Sequence, residues 1–312
     1  MPRAASRQTG DISVVIPVRD GEDHVVEAID SARAQGAAVG EIIVVDDGST
    51  DRTAERVRAV PDPRVRLLTD RPAGRAGVSA VRNHGFAHAT GKWVTFLDAD
   101  DRLRGGALET LLEGAREPGV VAVYGDYERI DESGARVGRR RLLRGRAKPS
   151  GRIAPALLGG NFIVNGGVML IRAESFGEIG GFDESLRYCE DWHAWCRLAT
   201  MGEIRFARGV HVLDYRVHSG STMMARTLAM ADYLPALDAI FSDARIVEAV
   251  PAERRRRLRA RASAHLNAYL IGQSVRGGRH AAALKALAAT LLHHPRALPR
   301  ALLIGGAALA GI

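Results

Sequence analysis

Phe96-Leu97-Asp98-Ala99-Asp100-Asp101 sets three carboxylates at the exit of an apolar run, Val94 to Leu97, that reads as a buried strand. On extended backbone alternate side chains face the same way, so Asp98 and Asp100 share a side. Two converging carboxylates make a hard-oxygen pair suited to Mg²⁺ or Mn²⁺, and without a cation they repel each other. A metal held there could grip a diphosphate and stabilise it as a leaving group. The same letters could also form a solvated acidic turn with Asp101 capping the next helix, so the surrounding chain has to decide.

Upstream, strand and helix patterns alternate. Ile12–Pro17 is a continuous apolar run, as in a strand buried on both faces. Glu22–Gln35 carries helical spacing at Val25, Val26, Ile29 and Ala32, and Glu41–Val45 is a second strand. Ser49, Thr50 and Asp51 offer N-caps for the helix that follows. Val65–Leu68, Lys92–Leu97 and Val120–Tyr124 read as further strands, with a helix over Ser79–Ala89. Such alternation predicts an α/β fold with a mostly parallel sheet, whose ligands bind beyond the carboxyl ends of the strands. Pro17, Asp46, Asp47, Asp98 and Asp100 all fall at that rim.

Downstream the pattern is less regular. Glu128–Arg141 reads as a hairpin around Glu132-Ser133-Gly134, and Val168–Arg172, Ile204–Phe206 and Val210–Val217 as short strands. Glu190–Met201 has helical spacing at Trp192, Trp195, Leu198 and Ala199, which makes the two tryptophans core anchors. Beyond Arg226 the chain turns helical, with one stripe at Leu258, Ala262, Leu266 and Leu270 and another at Leu284, Leu287, Leu291 and Leu292. These predict an antiparallel helix pair. The expected division is 11–222 for the α/β domain and 223–312 for a C-terminal helical region.

Composition narrows the function classes. Aromatic content of 5% argues against a stacking surface for single-stranded nucleic acid, so no nucleic-acid partner is expected. A net charge of +8 favours anionic partners such as nucleotide-sugars or anionic lipid. The runs Arg139-Arg140-Arg141 and Arg254-Arg255-Arg256-Arg257 supply much of that charge and read first as solvated faces. Cys189 and Cys196, two helical turns apart, lie too far apart to bridge. Residues 1–10 are polar and expected to fray, with no secretory signal, and no apolar run reaches membrane-spanning length. The apolar tail Ala301–Ile312 could dock on the fold or lie at a membrane interface behind Arg296 and Arg300.

Read in chain order, the motifs are specific in combination. Ser13-Val14-Val15-Ile16-Pro17 opens; Val45-Asp46-Asp47-Gly48-Ser49-Thr50-Asp51 follows the second strand; Ala80-Val81-Arg82-Asn83-x-Gly85 sits on the next helix. Then come the Asp98-Ala99-Asp100 pair, Gly180-Gly181-Phe182-Asp183-Glu184 with Glu190-Asp191-Trp192, and Tyr215-Arg216-x-His218. From Ile12 to Thr222 the chain thereby resembles the family 2 glycosyltransferases, whose fold is GT-A.

The resemblance implies an inverting transferase that moves a sugar from a nucleotide-diphosphate-sugar, UDP- or dTDP-linked, to an acceptor hydroxyl. It places Pro17, Val18, Asp46, Asp47, Arg82 and Asp98 around the donor, with an acidic residue of the Asp46-Asp47 pair accepting from the nucleobase imide. Asp98 and Asp100 would hold Mg²⁺ or Mn²⁺, and His218 would touch the metal or diphosphate. Deprotonating a sugar hydroxyl needs a carboxylate within hydrogen-bond reach, and one at a helix N-terminus is stabilised by the helix dipole. Of Glu190 and Asp191, the family's base is usually the second acid, which selects Asp191. The family often has Asn near Asp20, and here Asp stands instead. The implied partners are the nucleotide-sugar and a glycan, lipid-linked or small-molecule acceptor. The C-terminal helices lie outside the resemblance; their basic, apolar tail sets the expectation of a cytoplasmic setting, peripheral at the inner face of the plasma membrane, with those helices available for homodimerisation.

Rival readings explain less. A dehydrogenase would carry GxGxxG after the first strand, where Val18-Arg19-Asp20-Gly21-Glu22 stands. A sugar nucleotidyltransferase would carry a Gly-rich, basic phosphate loop at that place. A non-enzymatic basic protein binding nucleic acid or membrane would leave both acidic motifs without a purpose.

Overall fold

The computed structural model describes residues 10–70, 77–137, 148–217, 228–293 and 298–309. Within them, one sheet is built from β1 (Ile12–Val18), β2 (Val39–Asp46), β3 (Val65–Leu68), β4 (Trp93–Phe96), β5 (Arg102–Leu103), β6 (Val120–Ile130), β7 (Met169–Arg172) and β8 (Glu203–Arg216). The strand order is β3-β2-β1-β4-β7-β6-β8-β5. The first four pair in parallel, as the strand–helix alternation predicts. β7 then runs antiparallel to both neighbours, β4 and β6. β6 and β8 pair in parallel, and short β5 closes the edge antiparallel to β8.

Every residue of β1 is buried, which accounts for its unbroken apolar run; its one hydroxyl, Ser13, donates to the Glu41 carboxylate at 2.7 Å. Where the sequence reads two short strands at 204–206 and 210–217, the structure has the single strand β8. Gly209, at φ +80°, interrupts the apolar pattern, and the register with β6 slips between Tyr124 and Asp126 and again between Asp126 and Tyr127. Bulges of this kind bend a strand and break its period-two signal. Likewise β6, expected only to Tyr124, runs on past these bulges to Ile130.

Helices α1 (Val25–Arg33), α2 (Thr53–Arg58), α3 (Val78–Ala87), α4 (Ala107–Ala115), α5 (Ala154–Leu158), α6 (Ala173–Glu178) and α7 (Glu190–Met201) accompany the sheet. Trp192 and Trp195 on α7 are fully buried, and the Trp192 indole donates to the Leu157 carbonyl of α5 at 2.8 Å. Each such side chain contributes roughly 1.5–3 kcal/mol of burial. Both cysteines are free thiols.

The C-terminal part contains α8 (Met230–Ser242), α9 (Ala244–Ala249), α10 (Ala252–Arg276), α11 (His280–His293) and α12 (Leu298–Leu309). In place of a helix pair, long α10 packs against both α11 and α12. Its stripe Leu258, Ala262, Leu266 and Leu270 joins the same hydrophobic core as the sheet, while Ala268 and Ile271 meet Ala301 of α12. The boundary at 222/223, the run Arg139–Arg141, and His218 lie outside the described residues. No helix among the described residues is long and apolar enough to cross a membrane.

Candidate active site

The carboxyl ends of β1, β2 and β4 form one rim. Pro17 and Val18 close β1 beside Val45 and Asp46 of β2, and the Asp47 amide donates to the Val18 carbonyl at 2.8 Å. Buried Asp46 turns the chain by accepting from the Ser49 amide at 2.8 Å. The two rim loops are laced together. The Asp20 carboxylate accepts from the Thr50 amide at 2.7 Å, and the Asp20 amide donates to the Ser49 hydroxyl at 2.9 Å. Asp20 sits at φ +50°, in the left-handed region that Asn and Asp tolerate better than other side chains. Its identity is therefore conformational, and an Asn would serve the same backbone.

Asp98, Asp100 and Asp101 follow β4 in a tight turn, with the Asp101 amide donating to the Asp98 carbonyl at 3.0 Å. Asp101 does not cap the following helix. It is buried, accepting from the Arg216 amide at 2.8 Å and the Asn165 side chain at 2.9 Å. Burial, followed by the nearby charges of Asp100 and Asp98, pushes its carboxyl well above the usual range. Asp98 faces outward with one oxygen on the Arg82 guanidinium at 2.7 Å and the other 3.3 Å from the Asn165 amide. Arg216 buttresses the turn from behind: its guanidinium donates to the Asp100 carbonyl at 2.7 Å and to the Asp131 and Glu132 carbonyls at 3.0 and 2.9 Å. The charges of Asp98 and Asp100 thus lie close enough to raise the proton affinity of Asp101. Hard oxygen donors with excess negative charge are the set that Mg²⁺ or Mn²⁺ favours, so Asp98 and Asp100 fit a divalent cation.

Arg82, on α3, joins the two halves of the rim. It is buried among protein atoms, lies over the Phe182 ring, and donates to Asp98 at 2.7 Å and to Glu190 at 3.0 Å. Burial alone would lower its pKa, but the charges of Asp98 and Glu190 outweigh that and raise it. The adjacent Asn83 fixes the acceptor-side loop. Its side chain donates to the Phe182 carbonyl at 2.8 Å and to Glu184 at 3.0 Å, and accepts from the Phe182 amide at 2.9 Å. Gly181 passes so close that an added Cβ would stand 2.5 Å from the Asn83 oxygen, on backbone at φ +70°.

Glu190 and Asp191 open α7 after Cys189, whose φ of +59° turns the chain into the helix. Their environments differ. Glu190 is ion-paired to Arg82, whereas Asp191 accepts from the Trp192 amide at 2.6 Å. Burial, then the charge of Glu190, pushes the Asp191 carboxyl up to about 7 against the pull of that amide and of Arg82. A carboxylate poised near neutrality can exchange a proton with a hydroxyl group.

The structure brings Pro17, Val18, Asp46, Asp47, Arg82, Asp98, Asp100 and Asp191 to the carboxyl side of the sheet; His218 falls outside the described residues. Sequence reading missed Asn165, which lies in an irregular stretch with no periodic signal, and it left the Arg216 side chain without a task. Asn165 binds two of the three carboxylates of the acidic turn.

Comparison with known proteins follows this geometry. The chain is 38% identical over 125 residues to the succinoglycan biosynthesis protein ExoO of Rhizobium meliloti, spanning 40% of this chain and 35% of that protein. The chain therefore spans about a third of that relative's length. Two solved structures share the fold. One is Staphylococcus aureus TarS 1–349 in complex with UDP-GlcNAc (TM-score 0.63, 17% identity, covering 96% of this chain and 89% of that one). The other is the mannosyltransferase PcManGT from Pyrobaculum calidifontis in complex with GDP-Man and Mn²⁺ (TM-score 0.60, 24% identity, covering 97% and 81%). These likenesses identify the sheet and its helices as a GT-A fold, in agreement with the sequence reading. The description "Glycosyl transferase family 2" matches residues 13–180, more than half of the chain, and the protein belongs to that glycosyltransferase family.

Proposed function

We propose that the enzyme is an inverting, metal-dependent transferase that moves a sugar from a UDP- or dTDP-sugar to an acceptor hydroxyl. The observation that supports it most is the Arg82 bridge, which sets the acidic turn at Asp98 and the acids at the start of α7 on opposite arms of one guanidinium. Chemistry between a diphosphate on one arm and a hydroxyl on the other needs that juxtaposition. TarS and PcManGT were solved with UDP-GlcNAc and with GDP-Man plus Mn²⁺, which supports a nucleotide-sugar donor here.

In this reading the β1–β2 rim, with Pro17, Val18, Asp46 and Asp47, holds the nucleoside. Asp98 and Asp100 hold the metal, which when bound neutralises charge on the leaving diphosphate. Asp191 removes the acceptor hydroxyl proton as that oxygen forms its bond to the anomeric carbon, and the bond from that carbon to the diphosphate breaks on the opposite face. Glu190 stays with Arg82 as the group that positions the arm. His218 follows Tyr215 and Arg216 at the end of β8, and its contact with metal or diphosphate is part of the proposal.

Product stereochemistry and metal dependence test this. Donor turnover should stop after chelation and return with Mn²⁺ or Mg²⁺, and both Asp98→Ala and Asp100→Ala should be inactive. Full turnover in the chelated wild type, or a product that keeps the donor's anomeric configuration, would overturn the reading.

The setting is proposed as peripheral to a membrane of anionic lipid at its cytoplasmic face. The observation favouring it is an apolar exposure on α11 and α12: Leu284, Leu291, Leu292, Leu302 and Leu303 are all exposed, Leu292 by 75% and Leu303 by 73%. Exposed Arg254, Arg256 and Arg257 on α10 supply cations, each contributing roughly 1 kcal/mol near an anionic leaflet. Leu302→Ser with Leu303→Ser should reduce co-sedimentation with phosphatidylserine vesicles. A salt-independent dimer that ignores vesicles would instead assign this face to a second copy of the chain.

A further inference from the structure

The end of β3 and the end of α3 bring together three side chains that the transfer reaction does not use. His84 lies in the last turn of α3 and His88, four positions on, is its C-cap residue, so the two rings project from the same end of the helix. Asp70 follows β3 and reaches toward them, its carboxylate oxygen 3.7 Å from His84 Nε2. One ligand atom from each of the three residues lies within 4.8 Å of the others.

The state of each ring matters. His84 Nε2 is shut off from water and has no hydrogen-bond partner. At 3.7 Å from Asp70 it is too far for a hydrogen bond, though near enough for an ion pair. His88 is oriented through its other nitrogen: Nδ1 lies 3.0 Å from the His84 carbonyl, so a proton there donates to the backbone and leaves Nε2 with its lone pair. Metal-ligating histidines use such a bond from the far ring nitrogen to fix tautomer and ring direction. The rings meet edge to face with centroids 4.8 Å apart. Two ligands on a tetrahedral ion about 2.0–2.1 Å away stand a little over 3 Å apart; the three atoms, which lie within 4.8 Å of one another, would close by up to about 1.5 Å through side-chain rotation on binding. Arg66 donates to the Glu41 carboxylate at 3.3 Å and to the His88 carbonyl at 3.4 Å.

We propose that Asp70, His84 and His88 bind one Zn²⁺-class ion, distinct from the cation of the acidic turn. Two imidazoles and a carboxylate suit Zn²⁺, Co²⁺ or Ni²⁺, whereas the Asp98–Asp100 oxygens suit Mg²⁺ or Mn²⁺. The ion fastens the end of β3 to α3, the helix that carries Arg82 and Asn83.

Co²⁺ is the probe, because a tetrahedral nitrogen-containing site gives it an intense visible absorption and an oxygen-only octahedral site does not. Untagged full-length protein is titrated with Co²⁺ in the presence of excess Mg²⁺. The expected result is a saturable visible band that Zn²⁺ displaces, that is lost in His88→Gln and in Asp70→Asn, and that persists in the paired Asp98→Asn, Asp100→Asn variant. His88 and Asp70 are only partly buried or exposed, so these variants should fold, and circular dichroism checks that they do. Absence of the band in the wild type, its survival in both single variants, or its loss with the Asp98 and Asp100 changes would overturn the proposal. None of these readouts depends on transferase activity, so failure here leaves the reading of the active site untouched.

Discussion

Replacing Asp191 by Asn should separate activity from stability in opposite directions. Asn keeps the shape and can still accept from the Trp192 amide, but it cannot take a proton from a hydroxyl. Loss of a general base costs on the order of 10²–10⁴ in rate, so transfer should fall by at least about a hundredfold with donor affinity little changed. Stability should rise. The folded-state pKa of Asp191 is raised from 3.8 to about 7 by burial and by Glu190. For a carboxyl raised in this way, the favourable contribution of the protonated form is present in full below the unfolded value. It is lost as pH climbs through about 7. Above that, the wild type carries a desolvated charge. At about 1.4 kcal/mol per pH unit, the penalty approaches on the order of 4 kcal/mol as an upper bound, less whatever residual water contact relieves. Asn removes the penalty. The donor-free variant should therefore melt several degrees above wild type at pH 8.5, and the gain should vanish near pH 4. Wild-type kcat/KM should rise about tenfold between pH 6 and 8 as the base ionises. Differential scanning fluorimetry across pH, together with initial rates, decides the matter. A variant that melts lower at pH 8.5, or one that keeps its activity, would refute the assignment of a strained base at this position.

Other expectations follow from the same geometry. Arg82→Met leaves Asp98 and Glu190 facing each other without their shared cation and should destabilise by about 3–5 kcal/mol; it should also move the acidic limb of the rate profile upward, because Arg82 lowers the Asp191 pKa. Gly181→Ala should cost about 1–3 kcal/mol, since its φ is +70° and the new Cβ meets Asn83, and thermal melts would read the loss. Asn165→Leu should raise the concentration of Mn²⁺ needed for half-maximal donor binding, because Asp98 and Asp101 lose the amide that orients them; an unchanged Mn²⁺ titration would show that Asn165 serves the backbone alone. Arg216→Lys should loosen the acidic turn, since Lys cannot reproduce the guanidinium's separate contacts to Asp100, Asp131 and Glu132.

Local chemistry was enough to write much of this protein from its letters. The unbroken apolar run of β1, the carboxylates at the exit of β4 and the helical spacing of α7 are all properties of neighbours in sequence. They predict the strand–helix alternation, the rim and the candidate residues at it. What tertiary structure alone decided is which of those residues touch. Arg82 meets Asp98 sixteen positions away and Glu190 one hundred and eight away. Arg216 reaches back 115 residues to Asp101, and Asn165 reaches Asp98 from an irregular segment that carries no period. Nothing in their local sequence sets the proton affinities of Asp98, Asp101, Glu190 and Asp191 apart; folding buries Asp101, pairs Asp98 and Glu190 with a single arginine and raises the Asp191 carboxyl to about 7. The long strands β6 and β8 were hidden because bulges erase alternation. Helix α10 read as an appendage because nothing in its stripe says that the sheet's own core is what it covers. Proton affinity, ion pairing and shared burial depend on distances between segments that periodicity does not encode.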